Sequence, residues 1–207
     1  MPQASSVDAA IGGYLRQPDS ESARSLSATR EAGVRRLLSL WFGDTHEPFD
    51  NPIPDVSGRE AVDRWSAALS VVATAAPSAF IDGIADKDLS LPMLAILGDV
   101  DDPRATTILC EHVADENWLS RYNAVSSLRR RNDPVSRPCI ERALGDPNLV
   151  VRAQAIKAIS RWDADRAVSL YEALLNTEGL TPLLRSEAHT AIGDLRAGLP
   201  VREPWDR

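Results

Sequence analysis

Residues 145–162, GDPNLVVRAQAIKAISRW, and residues 114–131, ADENWLSRYNAVSSLRRR, superpose at a shift of 31. The shift lays Asp146 on Asp115, Arg152 on Arg121, Ala155 on Ala124 and Ile159 on Leu128. It also carries Leu97, Asp102-Pro103 and Val113 onto Leu128, Asp133-Pro134 and Leu144, so an entire helix, turn, helix and turn is copied. Self-similarity with a period of roughly 20 to 50 residues marks a chain built by stacking one supersecondary unit on the next. A third copy, TEGLTPLLRSEAHTAIGDL, keeps Arg185, Ala188 and Ile192 after a two-residue insertion and has Thr177 or Glu178 in the Asp slot. A weaker upstream copy keeps Phe80, Ile84 and Leu97, with Asp86 at its turn.

Each copy makes local physical sense. Asp146-Pro147-Asn148 and Asp115-Glu116-Asn117 are turn sequences that open a helix and set a carboxylate near its positive end. In the helix that follows, Val151, Ala155, Ile156 and Ile159 recur at helical spacing, with alanine where a neighbouring helix must come close. Asp133-Pro134 breaks that pattern and starts the next helix. Each unit is therefore a helical hairpin whose apolar face stacking must cover.

These units resemble HEAT repeats, in particular the short variety first associated with phycobilisome lyases. The marks are a turn Asp, a Val-Arg pair opening the second helix, and Ala three residues after the Arg. Asp146, Val151-Arg152 and Ala155 carry all of them; Asp115, Arg121 and Ala124 carry them with Ser120 in the Val slot; Leu184-Arg185 and Ala188 lack the Asp. The resemblance covers roughly residues 60–196. It implies an all-α, right-handed α-solenoid of about four to five HEAT-like hairpins behind an N-terminal cap helix. It also implies that Asp115, Arg121, Asp146 and Arg152 form a structural ladder along the inner layer.

The expected organisation is a polar N-terminal arm over residues 1–20, the solenoid over 21–196 and a tail over 197–207. Within 21–43, Val34, Leu37, Leu38 and Trp41 share one side of an amphipathic helix, the expected cap. The stretch 44–58, DTHEPFDNPIPDVSG between the cap and Arg59, is an acidic, proline-rich loop.

Composition narrows the function. The chain has 207 residues and net charge −7; residues 1–103 hold 8 basic and 16 acidic groups (net −8), while the remainder is near neutral. Phosphate-tracking surfaces need clustered positive charge, so nucleic acid is disfavoured, and a partner basic toward the N-terminal half is easier to accommodate. No stretch approaches the roughly 20 apolar residues of a membrane span, and the start lacks a basic region followed by an apolar run. The expected address is cytoplasmic. Cys110 and Cys139 lack the CxxC or Cys/His spacing of a metal site and are expected to be free, buried thiols in a reducing compartment.

No cofactor or metal is expected: His46, His112 and His189 fall in different units, and GDVDD at 98–102 lacks the spaced ligands of a calcium loop. No nucleophile elbow or glycine-rich phosphate loop occurs. The reading is a non-catalytic scaffold or adaptor that binds a protein or peptide on its inner helices. Offsets two, five and nine from each ladder Arg fall opposite the apolar stripe. They nominate Asn123, Ser126 and Arg130, then Gln154, Lys157 and Arg161, then Glu187 with Thr190 and Asp194. The alternatives are a HEAT-like enzyme, resembling the alkylpurine DNA glycosylases or the lyases, and an immunity-type inhibitor of a basic partner. For the glycosylase, Trp118, Trp162, Asp163 and the Arg129-Arg130-Arg131 run are the candidate ingredients.

Overall fold

The computed structural model describes residues 3–44, 56 and 58–202, and every regular element in them is helical. The loop expected at 44–58 lies almost wholly outside the described residues. The chain divides into two compact units, residues 1–105 and 106–207.

In the first unit α1 (Gln3–Arg16), α2 (Ser20–Ser27), α3 (Arg30–Phe42) and α4 (Gly58–Ala75) precede α5 (Pro77–Ile84) and α6 (Leu91–Leu97). Helix α1 corrects the polar arm expected over 1–20: it packs on α2, α3 and α4 and buries Ile11 and Leu15 completely. Ile11, Tyr14 and Leu15 stand at i, i+3 and i+4, enough for one buried ridge inside an otherwise polar sequence. Arg36 forks onto Asp8 (2.7 and 3.0 Å), and Arg64 donates to the Leu15 and Arg16 carbonyls (2.8 and 3.2 Å), closing the end of α1. The single cap helix expected over 21–43 is two helices. Asp19 caps α2 through the amides of Glu21 and Ser22, and the chain breaks before Arg30, whose φ is +47°. The Thr29 hydroxyl donates to the Leu26 carbonyl (2.6 Å), and Gly33 gives it room, since a Cβ there would lie 1.9 Å from that oxygen.

The second unit contains most of α7 (Arg104–His112), then α8 (Trp118–Arg131), a 3-10 turn (Pro134–Ser136) running into α9 (Arg137–Ala143), α10 (Leu149–Ile159), α11 (Ala164–Leu175) and α12 (Pro182–Arg196). Helix α10 is central, packing on α8, α9, α11 and α12. Its Val151, Ala155, Ile156 and Ile159 stripe is buried, as are the equivalent Ala124, Leu128, Ala188 and Ile192. The turns before α8 and α10 use one device twice. Asp115 and Asp146 each accept from the amide two residues on, and Asn117 and Asn148 then cap the helix through Leu119 and Val150.

The ladder has a definite direction. Arg121 donates to the carbonyls of Asp115 and Glu116 (2.9 Å each), tying α8 to the turn before it, and forks forward onto the Asp146 carboxylate (2.7 and 2.9 Å). Both side chains are nearly dry, 12% and 4% exposed. Arg152 bonds the Asp146 carbonyl and Arg185 the Leu175 carbonyl, so the backward bond recurs in three repeats. The forward rung from Arg152 is missing among the described residues, because the third copy has no turn Asp. The α9–α10 and α11–α12 hairpins are joined instead by the partly exposed fork of Arg166 onto Glu141 (2.5 and 2.6 Å).

A second set of rungs runs along the first helices of the hairpins. Ser78 donates to Asp102 (3.2 Å) in the first unit, and Thr106 donates to Asp133 (3.0 Å) in the second. The Asp-Pro turns thus join one repeat to the previous one as well as ending helices. Cys110 and Cys139 form a disulfide between α7 and α9, with Cα atoms 5.4 Å apart. This corrects the expectation of free thiols and removes the thiol part of the argument for a reducing compartment. The two residues are 29 apart, close to one repeat period, and stacking brings positions one period apart side by side.

Three expectations follow. Under denaturing, non-reducing conditions the purified chain has no titratable thiol, and Cys110→Ala with Cys139→Ala lowers unfolding free energy by about 3 kcal/mol, as expected for a loop of this size. Free thiols in the oxidised preparation would refute the bridge. Arg121→Ala costs about 3 kcal/mol or more, because it strands the Asp146 carboxylate in the interior, whereas Arg152→Ala loses one bond to a carbonyl and costs about 1 kcal/mol. Equal losses in urea unfolding would remove the forward rung. Burial pushes the Asp146 carboxyl up, but Arg121 and the Asn148 amide outweigh it and leave it below its ordinary value. Hydrogen bonds from Arg104, opposed by burial, hold Asp102 down at about 2. Groups depressed on folding stabilise above their unfolded pKa and lose that contribution as pH falls through the folded one. The unfolding midpoint is therefore flat from pH 8 to 6 and declines below about pH 4; a change of several degrees between pH 6 and 8 would contradict this assignment.

Candidate functional site

The second helices of the three hairpins, α8, α10 and α12, carry the residues nominated from the sequence. Lys157 and Glu187 are half-buried, and both line a groove of about 560 Å3 bounded by α10 and α12. Gln154 also lines it, but it is 8% exposed, so its expected place on the outward face is corrected: it sits at the base of the groove. The reason is crowding, since α10 is covered by neighbours on several sides and has little outer face left. Lys157 and Arg161 line a second depression of about 430 Å3 together with Arg129 and residues 198–201. Asn123, Ser126 and Arg130 line neither; Asn123 donates to the Leu119 carbonyl and Arg130 to the Ser127 hydroxyl, both within α8.

Two residues complete the larger groove. Asp194, expected to point away from the core, is 3% exposed, and its carboxylate receives Arg202 through Nε (3.0 Å) and Nη2 (2.6 Å). Arg202 in turn holds the Asp194 carboxyl below the ordinary carboxylate range. Lys157 Nζ donates to the Arg202 carbonyl (3.0 Å). The segment after α12 thus crosses the inner surface. The signal that could have found it is Gly198-Leu199-Pro200, a helix stop followed by a rigid residue, with a cation two places on. Offsets counted within helices do not reach Arg202, which lies beyond the end of α12.

The groove mixes signs, with Lys157 and Arg202 against Glu187 and Asp194, and offers apolar surface at Val150 and Leu183, 39% and 68% exposed. Its buried carboxylate, Asp194, is neutralised by a guanidinium, and Glu187 is half-buried in the same groove. Among the described residues no group of three His, Cys, Asp or Glu side chains is placed to hold a metal ion, and no single helix is long and apolar enough to cross a membrane. Of the aromatics weighed for base stacking, Trp162 is covered by the Arg137 guanidinium, 5.2 Å from its ring centre, and Trp118 is exposed at the start of α8 and lines neither cavity.

Comparison with known proteins bears on the repeats and on nothing narrower. A family model described as HEAT repeats matches residues 78–160, from the start of α5 to the end of α10. No curated protein and no solved structure matched the chain. The matched segment contains Asp115, Arg121, Asp146 and Arg152 together with the stripe they hold in register, and over that segment the chain is similar to HEAT repeats.

Proposed function

We propose that this chain is a non-catalytic interaction scaffold that receives a protein or peptide on the inner helices of its second unit. HEAT repeats are commonly interaction modules, which supports the class. The observation that carries the site is the groove between α10 and α12, where charges of both signs surround exposed apolar side chains. Interfaces use this combination: apolar surface contributes affinity and charge fixes the register of the partner. The net −8 of residues 1–103 supports a partner whose basic side faces the N-terminal half, the feature an immunity-type inhibitor would also need. Against an alkylpurine glycosylase reading, Trp162 stands under the Arg137 guanidinium and the Asp163 carboxylate is engaged in capping α11 through the Arg166 amide (3.0 Å).

The test is affinity capture on the immobilised full chain from cells that make it, followed by a pairwise binding assay with the recovered protein. Lys157→Glu with Arg161→Glu weakens that binding at least about tenfold, the loss expected when interface cations are reversed. Undiminished binding would move the contact off the inner helices. Recovery of no partner, with excision of alkylated bases or turnover of a small molecule by the purified chain, would overturn the scaffold reading.

A further inference from the structure

We infer that residues 198–202 are a built-in occupant of the groove between α10 and α12, and that the partner is an extended segment presenting an arginine that replaces Arg202 on Asp194. This rests on the inner-surface reading above and names the chemistry of its ligand.

The reversal of the chain is built into the end of α12. Gly198 takes a φ of +72°, a conformation costly to any residue with a Cβ, and the Leu199 amide bonds back to the Asp194 carbonyl (2.8 Å). Pro200 follows, with its backbone angle fixed in advance. Leu199, Pro200 and Val201 then run along the 430 Å3 depression beside Lys157 and Arg161, and Val201 and Arg202 enter the larger groove.

At Arg202 the groove reads main chain and side chain together. Lys157 on α10 takes the carbonyl, and Asp194 on α12 takes the guanidinium in a two-pronged fork. One bond to the backbone and one to a side chain at the same residue is how extended peptides are fixed in register. The two partners differ sharply in burial: the Asp194 side chain is 4% exposed and that of Arg202 is 62% exposed. The carboxylate belongs to the folded wall, while its counter-charge arrives on a short exposed segment that can leave. A carboxylate so placed is costly without a cation, so release of the tail favours capture of another. The fork selects arginine over lysine, because only a planar guanidinium offers two parallel donors to one carboxylate. Leu183, Val150 and Glu187 line the rest of the groove and remain for residues flanking that arginine.

The probe is a fluorescent peptide with the sequence of residues 198–207, GLPVREPWDR, titrated into the full-length chain. The tail of the wild-type chain competes at an effective concentration on the order of millimolar, so Arg202→Glu binds the peptide at least about tenfold more tightly than wild type. Arg202→Ala, which adds no repulsion, also exceeds wild type, and Arg202→Lys falls between; this graded series stands even if the Glu variant folds poorly. Adding Asp194→Asn to Arg202→Ala abolishes the gain, as does replacing the peptide's arginine with alanine. Failure of every Arg202 variant to bind the peptide, or equal binding of the alanine peptide, overturns the inference. If that happens while the captured partner is still lost on Lys157→Glu with Arg161→Glu, the inner surface stands and only the tail assignment falls. If the series holds but no protein is captured, the groove's preference for arginine stands and the scaffold reading falls.

Discussion

Apolar packing between helices is strong but has little sense of direction, and a stack of hairpins held by it alone could slide. Arg121 removes that freedom. Its guanidinium is fixed on one side by two carbonyls of its own turn and forked on the other onto Asp146 in the next. Four short bonds from one planar group leave only one position for α8 relative to the turn ahead of α10. The alanines that allow close approach, the buried stripe on α10 and the outer rung from Thr106 to Asp133 all require that register to be correct. A dry ion pair contributes less to net stability than to uniqueness, because desolvation offsets much of its attraction.

Most of this arrangement was legible in the sequence because it repeats. A shift of 31 exposed the turn Asp, the Arg and the alanine together, and copying is a stronger signal than any single propensity. What did not repeat was harder to see. The ridge of Ile11, Tyr14 and Leu15 has no second copy and sits among polar residues, so α1 read as an arm. The cysteines match no local motif spacing, but in a stack the telling separation is one period, and theirs is close to it.

The candidate site was legible only in part, for a related reason. Of the residues counted from the ladder Arg, Gln154, Lys157 and Glu187 line one groove, because helix geometry fixes which side chains share a face. It misjudged how far Gln154 and Asp194 protrude, since depth depends on what lies opposite. In the case of Asp194 that is Arg202, carried there by a reversal whose outcome depends on three-dimensional closure and not on period.

The missing rung ahead of Arg152 has a mechanical consequence. The hairpin of α11 and α12 forms one wall of the groove, and the ionic contact joining it to α9, from Arg166 to Glu141, lies partly in water. Within the hairpin, the pair of Arg196 and Glu172 is more exposed still. Such contacts weaken as dissolved ions shorten the reach of charge, to roughly 10 Å at 0.1 M salt, whereas the dry fork of Arg121 is shielded from that screening. Stiffness therefore grades along the second unit, firm where the carboxylate is interior and compliant at the far hairpin. Dissolved salt therefore acts on the ionic contacts of the far hairpin and spares the dry fork of Arg121.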